Sequence, residues 1–196
     1  MKNTQENLLN SAIRIVAEGG AGAARTRAIA RAAGVTEAAI YKHYPSKDAL
    51  LRAAYRRVVD QMVAEKQQLA EQDLPFRQTV EKWVRLTFES FDMSPDAFRY
   101  VLLTRETRSD EEDEPVGGQG KIILDLVGRA IAAKEIPEVN PRLALSHFTG
   151  LMLNVPRMIT EGGLEGPATR YTDAVVEAIW QVLGPPPGVV SSPKTT

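Results

Sequence analysis

Residues 27–44, RAIARAAGVTEAAIYKHY, have the pattern of two short helices joined by a glycine turn. Gly34 supplies the backbone freedom that a tight turn requires. Thr36 follows it and can cap the second helix through its hydroxyl oxygen. Each helix has an apolar edge, formed by Ile29, Ala30 and Ala33 on the first and by Ala39 and Ile40 on the second. The stretch therefore predicts two helices that pack against each other across a short turn.

The outer face of the second helix carries small, polar and aromatic side chains, namely Glu37, Ala38, Tyr41, Lys42 and His43. A short helix with such a face can enter the major groove of DNA. The alternative is an ordinary helical hairpin without a ligand, because glycine turns between helices are common.

The continuation, residues 45–51 with the sequence PSKDALL, makes a more specific pattern. Residues 8–55 resemble the N-terminal DNA-binding domain of the TetR family of transcriptional repressors. The matching motifs are Ile29-Ala30, Ala33 to Thr36, Ile40-Tyr41, His43-Tyr44 and Ser46 to Leu50. The rest of the chain resembles the family only in its length and helical content.

The resemblance implies an all-α protein of about nine helices. Residues 1–46 would form a three-helix DNA-binding domain that contains the helix-turn-helix. Residues 47–184 would form a helical ligand-binding and dimerisation domain. The last residues, 185–196, have the composition of a disordered tail.

The resemblance also implies roles for single residues. It places phosphate contacts at Thr26, Tyr41, His43 and Lys47, and base contacts at Arg27, Glu37, Ala38 and Ala39. An arginine can bind guanine through O6 and N7. The predicted DNA-binding set is completed by Thr36, the cap, and by Lys42 on the outer face.

Two of these positions depart from the family pattern, and two others have an alternative interpretation. Ala39 stands where many relatives have a hydroxyl or a glycine, so one polar contact is missing. Glu37 is acidic, and it could accept a hydrogen bond from a cytosine amine or turn away from the DNA. Tyr41 could instead be a core aromatic, and His43 a surface residue without a partner.

Charge is distributed unevenly along the 196 residues. Residues 1–60 carry ten Lys and Arg and five Asp and Glu, a net charge of +5, whereas the whole chain has −1. A basic segment attached to an acidic body concentrates the attraction for phosphates in one place. The chain has no cysteine, which excludes disulfides and thiolate chemistry. It also has no long apolar run and no secretory segment at its polar start, so we expect a cytoplasmic protein that does not enter membranes.

The body of the chain has helical periodicity, and several helix starts can be read from caps. Ser46 is expected to cap a fourth helix that runs to about Ala70, too long for a compact three-helix module to bury. Asn140 followed by proline is expected to open the eighth helix, with Pro156 inside it. Pro167 is expected to open the ninth.

A single small DNA-binding module buries too little surface for tight and selective binding. A two-fold dimer with modules roughly 34–36 Å apart would reach successive faces of the major groove. The resemblance places the dimer interface on the last two long helices, at Phe148, Gly150, Leu151, Val155, Val175 and Ile179. The alternative is that these faces pack only within one protomer.

The middle of the chain is where the resemblance implies a ligand pocket. Its predicted lining is Met62, Trp83, Phe88, Phe91, Phe98 and Met152, with Arg105 to orient a polar group. The alternative interpretation is that these side chains are simply core.

The sequence therefore favours a homodimeric repressor that a small apolar effector releases from a palindromic operator in double-stranded DNA. A DNA-binding regulator without a ligand is the first alternative. A helical enzyme is the second, with little support, because His43 and His147 are far apart and no nucleophile motif is present. We expect no cofactor and no metal site.

Overall fold

The computed structural model describes residues 2–104 and 118–184, and these residues are helical or lie in turns between helices. The α-helices in the described ranges are α1 Lys2–Gly19, α2 Thr26–Ala33, α3 Glu37–His43, α4 Lys47–Ala70, α5 Phe76–Met93, α6 Pro95–Thr104, α7 Gly118–Ala132, α8 Pro141–Thr160 and α9 Thr172–Leu183. The predicted all-α class is confirmed. Arg105 and the predicted tail, residues 185–196, lie outside the described residues.

Side-chain caps set two of the predicted helix starts. The Ser46 hydroxyl accepts a hydrogen bond from the Ala49 N–H at 3.1 Å, and α4 begins at the next residue, Lys47. The Asn140 side chain accepts hydrogen bonds from the first backbone N–H groups of α8, with proline in the first turn. These contacts satisfy donors that have no partner inside the helix.

The ninth helix starts later than the sequence suggests. Pro167 precedes a 3₁₀ turn, Ala168–Tyr171, and α9 begins only at Thr172. The Asp92 carboxylate on α5 accepts hydrogen bonds from the Ala168 N–H at 2.7 Å and the Thr169 N–H at 3.0 Å. This long-range contact holds the turn, and no local sequence signal predicts it.

The chain divides into two compact units. The described part of the first unit contains residues 2–64 and 94–104, so that α6 packs on α1 in the same unit. Its core includes Leu8, Ile29, Ile40 and Leu50, each fully buried. Tyr100 of α6 is also fully buried, and its hydroxyl donates a hydrogen bond to a carbonyl of α4 at 2.6 Å. The predicted boundary after residue 46, between a DNA-binding domain and the rest of the chain, stays a prediction.

The described part of the second unit contains residues 65–93 and 118–184. Helix α5 lies at its centre and contacts α7, α8 and α9. Trp83 of α5 is fully buried and meets Phe148 of α8 edge to face, with ring centroids 5.9 Å apart. Arg129 of α7 donates a hydrogen bond to the Ala70 carbonyl at 2.9 Å, which ties α7 to the end of α4.

Candidate nucleic-acid interface

The turn between α2 and α3 depends on glycine at position 34. Gly34 has φ +71°, a left-handed conformation that costs a residue with a Cβ about 1–2 kcal/mol. Its N–H bonds to carbonyls in the last turn of α2, and the Val35 N–H reaches the Ala30 carbonyl at 3.0 Å. This end of α2 therefore sets the direction in which α3 leaves.

The start of α3 is fixed from both sides. The Thr36 hydroxyl accepts a hydrogen bond from the Ala39 N–H at 3.3 Å, as the sequence predicts. Ile40 is fully buried in the core of the first unit and anchors the opposite face of α3. The helix therefore presents Glu37, Ala38, Tyr41 and Lys42 to solvent.

Tyr41 and Tyr44 have opposite environments. Tyr41 is 55% exposed, which excludes the alternative of a core aromatic at this position. Tyr44 is the buried one, and its hydroxyl has no hydrogen-bond partner among the described residues. An exposed phenol on the outer face of α3 is available for a phosphate oxygen, although contact with DNA stays a prediction.

The basic residues around α3 have no ion-pair partner in the described part of the chain. Arg27 and Lys42 are exposed, and Lys47 at the start of α4 is half-buried. The ion pairs that the structure describes involve none of them. Their charges are therefore available to phosphates. His43 is half-buried, and Ala39 is partly covered.

A hydrogen bond crosses from α2 to α3. The Thr26 hydroxyl donates to the Glu37 carboxylate at 2.9 Å, and the bond is open to solvent. Glu37 is thus turned toward α2 in the free protein. A hydroxyl has one proton, so Thr26 cannot donate to Glu37 and to a DNA phosphate at the same time.

The predicted pocket residues fall into two groups. Met62 and Phe98 lie in the first unit, where Phe98 is buried. The other described members, Trp83, Phe88, Phe91 and Met152, lie in the second unit and are each at most 4% exposed. Two surface grooves are described, of about 670 Å³ between α1, α4 and α6 and of about 590 Å³ between α4 and α7. None of the predicted pocket residues that the structure describes lines either groove.

The predicted dimer residues also differ in exposure. Phe148, Val175 and Ile179 are buried within the protomer, whereas Gly150 is exposed and Leu151 and Val155 are half-buried. Two further apolar side chains on the same helices are exposed, and the sequence pattern did not assign them to the interface. Leu143 of α8 is 50% exposed and Val182 of α9 is 49% exposed. The apolar surface available to a partner therefore lies at these positions and around Gly150.

Comparison with known proteins gives the same assignment for the first unit. Residues 8–54 match the family model described as bacterial regulatory proteins, tetR family. The matched residues include the whole of α2 and α3. Over 90 residues it is 31% identical to the HTH-type transcriptional repressor KstR2 of Rhodococcus jostii (strain RHA1), covering 46% of this chain and 44% of that protein. The chain spans less than half the length of the curated relatives it matches.

The similarity of fold to TetR-family structures extends over most of the chain. A TetR-family transcription regulator from Marinobacter aquaeolei VT8 has a TM-score of 0.80 at 20% identity, with 93% of this chain and 96% of that one covered. The regulator FadR from Bacillus subtilis, in complex with stearoyl-CoA, has a TM-score of 0.76 at 16% identity, with 89% and 96% covered. At these identities, the likeness shows the fold.

The TetR-family comparison leaves one feature of the second unit unexplained. Lys66 of α4 is buried, although a lysine carries a charge and usually lies at the surface. A sequence signal for it exists, because Lys66 lies four residues after Met62 and three before Leu69, on the apolar stripe of α4. No three His, Cys, Asp or Glu side chains cluster as a metal site within residues 2–104 and 118–184. Over the same ranges no helix has the length and apolar character of a membrane span.

Proposed function

We propose that this TetR-family regulator is a homodimeric repressor that binds a palindromic operator through α2 and α3 and is released by a small apolar effector. The observation that carries the DNA-binding part is the outer face of α3, where Tyr41 is exposed while Ile40 anchors the helix in the core. Phosphate contacts from Tyr41, Lys47 and Lys42 would supply most of the affinity, and Arg27 with the start of α3 would read bases.

The dimer would form through α8 and α9. Leu143 and Val182 expose apolar surface on these two helices, and Gly150 has no neighbouring atom within 4 Å of a Cβ built on it. A second protomer can therefore approach α8 closely at Gly150. Pairing two modules doubles the phosphate contacts and converts a short site into a two-fold symmetric one.

An effector would act through α4, which begins with Lys47 in the first unit and ends at Ala70 in the second. A ligand changes DNA binding only if it binds one conformation more tightly than the other. Shifting the ratio of the two conformations from 1:99 to 99:1 requires a ligand that binds one of them roughly 10⁴-fold more tightly, a difference of about 5.5 kcal/mol. A compact second unit with a buried aromatic cluster can provide such a difference if the ligand parts its helices.

The experiment is a DNase I footprint on the DNA that flanks the protein's own gene, with the mass of the free protein measured by light scattering. We expect a protected palindrome and a dimer. The double variant Tyr41→Ala/Lys47→Ala should lose protection, whereas Lys82→Ala, which removes an exposed charge from α5, should keep it. A stable monomer, or protection without two-fold symmetry, would contradict the proposal. Full operator binding with no releasing ligand in a broad screen would favour a constitutive regulator.

A further inference from the structure

Lys66 places a positive charge inside the second unit. The side chain is 3% exposed, and its Nζ lies 5.6 Å from the centroid of the Trp83 ring. The Nζ donates one hydrogen bond, to the Trp83 carbonyl at 3.2 Å. An ammonium group has three donors, and no carboxylate among the described residues lies within 4 Å of this one.

Two carboxylates act on Lys66 through their charges, but neither forms an ion pair with it among the described residues. Glu65 accepts a hydrogen bond from the Ser90 hydroxyl at 3.4 Å, and Glu89 is exposed. Burial lowers the pKa of Lys66 from 10.5 to about 8, and the charges of Glu65 and Glu89 only partly oppose this effect. A buried cation without a close anion destabilises a protein, so its presence requires a reason.

The Trp83 side chain carries a second donor, on the ring whose centroid lies 5.6 Å from the Lys66 Nζ. Its Nε1–H is buried and has no hydrogen-bond partner among the described residues. The Trp83 carbonyl already accepts a hydrogen bond from the Thr87 hydroxyl at 2.8 Å, so it does not depend on Lys66. Native proteins leave few buried donors unmatched, and a missing acceptor is one explanation for those that remain.

We propose that the effector carries an anionic oxygen group, a carboxylate being the simplest, which binds between the Lys66 ammonium and the Trp83 indole N–H. This inference rests on the proposed function, since it specifies the chemistry of the small effector. The carboxylate oxygens accept from both donors, and the apolar body of the ligand packs near the contact of Trp83 with Phe148. The anion also pairs the buried charge in a medium of low dielectric constant, where the attraction is strong.

The test compares acids with neutral molecules of the same shape. The probes are decanoate against decanol and 2-naphthoate against 2-naphthamide, and the readouts are the Tm and the tryptophan fluorescence of the full chain without DNA. We expect an acid to bind wild type more tightly than its neutral counterpart. Lys66→Met should lose about tenfold or more of the acid affinity and keep the affinity for the neutral probe. Lys82→Met, an exposed control on α5, should behave as wild type.

Stability gives an independent readout. Because the Trp83 carbonyl keeps its other hydrogen bond, Lys66→Met should melt at or above the wild-type temperature. A fall of several degrees would show that Lys66 supports the packing itself, and would overturn the proposal. So would equal behaviour of acid and neutral probes with wild type, including no binding of either, or unchanged acid affinity in Lys66→Met.

The outcome is separable from that of the proposed function. Release of the operator by a neutral molecule, with no preference for acids, would refute this inference and leave the repressor proposal intact. Failure to bind any duplex would refute the repressor proposal, and the acid and neutral probes would still decide the role of Lys66.

Discussion

The hydrogen bond between Thr26 and Glu37 leads us to predict a gain in DNA affinity on mutation, whereas most substitutions on a DNA-binding face reduce the affinity. Glu37→Ala should raise the affinity for duplex DNA of random sequence. The substitution removes a negative charge from the face of α3 that we propose approaches phosphates. It also frees the Thr26 hydroxyl, which donates to Glu37 at 2.9 Å in the free protein, to donate to a phosphate oxygen.

The size of the gain follows from the geometry. The bond is exposed, so a phosphate contact that replaces it is worth about 1 kcal/mol net, or about fivefold in affinity for each module. A dimer that engages both modules would gain about 25-fold. Glu37→Gln should gain less, because its amide oxygen can still accept the Thr26 proton while the charge is removed.

The assay is fluorescence anisotropy with a random-sequence duplex at one fixed salt concentration. Thr26→Val keeps the shape of the side chain without the hydroxyl, so the double variant Thr26→Val/Glu37→Ala isolates the route through Thr26. We expect the double variant to lose most of the gain. Unchanged or weaker binding by Glu37→Ala would refute the reasoning, and an equal gain in the double variant would assign the effect to charge alone.

Three further predictions concern stability, assembly and pH. Asp92→Ala removes a carboxylate that accepts three hydrogen bonds from the turn before α9. The free energy of unfolding measured in urea should therefore fall by about 3 kcal/mol, and a fall of less than about 1 kcal/mol would contradict this expectation. Gly150→Ala and Gly128→Ala should each stabilise a helix by about 0.5–1 kcal/mol. Sedimentation should show a weaker dimer only for Gly150→Ala. An unchanged dimer in this variant would show that Gly150 is not in the interface. Because the pKa of Lys66 is about 8 when folded and 10.5 when unfolded, the unfolded chain binds the proton more tightly between these values. The stability of wild type relative to Lys66→Met should therefore rise by roughly 3 kcal/mol from pH 8 to 10.5, and a flat difference would contradict the burial argument.

The features that the sequence predicted correctly are those decided by neighbouring residues. Gly34 is required by its own backbone angle, and Thr36, Ser46 and Asn140 cap helices whose first N–H groups are two or three residues away. Such contacts are local, so the residue types at fixed offsets predict them. The exposure of Tyr41 and the burial of Ile40 follow from the same helical spacing in α3.

The features that the sequence did not predict depend on partners far along the chain. Helical periodicity shows that α6 has an apolar face, but it does not show that Tyr100 meets α4 in the first unit. The same limitation explains why the predicted pocket set divides, with Phe98 in the first unit and Trp83 in the second. Asp92 is an ordinary acid in the sequence, and its role in delaying α9 depends on a contact 76 residues away.

The central claim is that two basic modules of one dimer bind the DNA backbone together, and salt dependence tests it most directly. Each phosphate contact contributes a slope of about 0.9 to the fall of log affinity with log salt concentration. Lys47→Ala should therefore reduce the slope of the operator complex by about 1.8, since each of two protomers loses one contact, while Lys82→Ala leaves the slope unchanged. A reduction of about 0.9 would indicate a single bound module, and no reduction would show that Lys47 does not contact DNA.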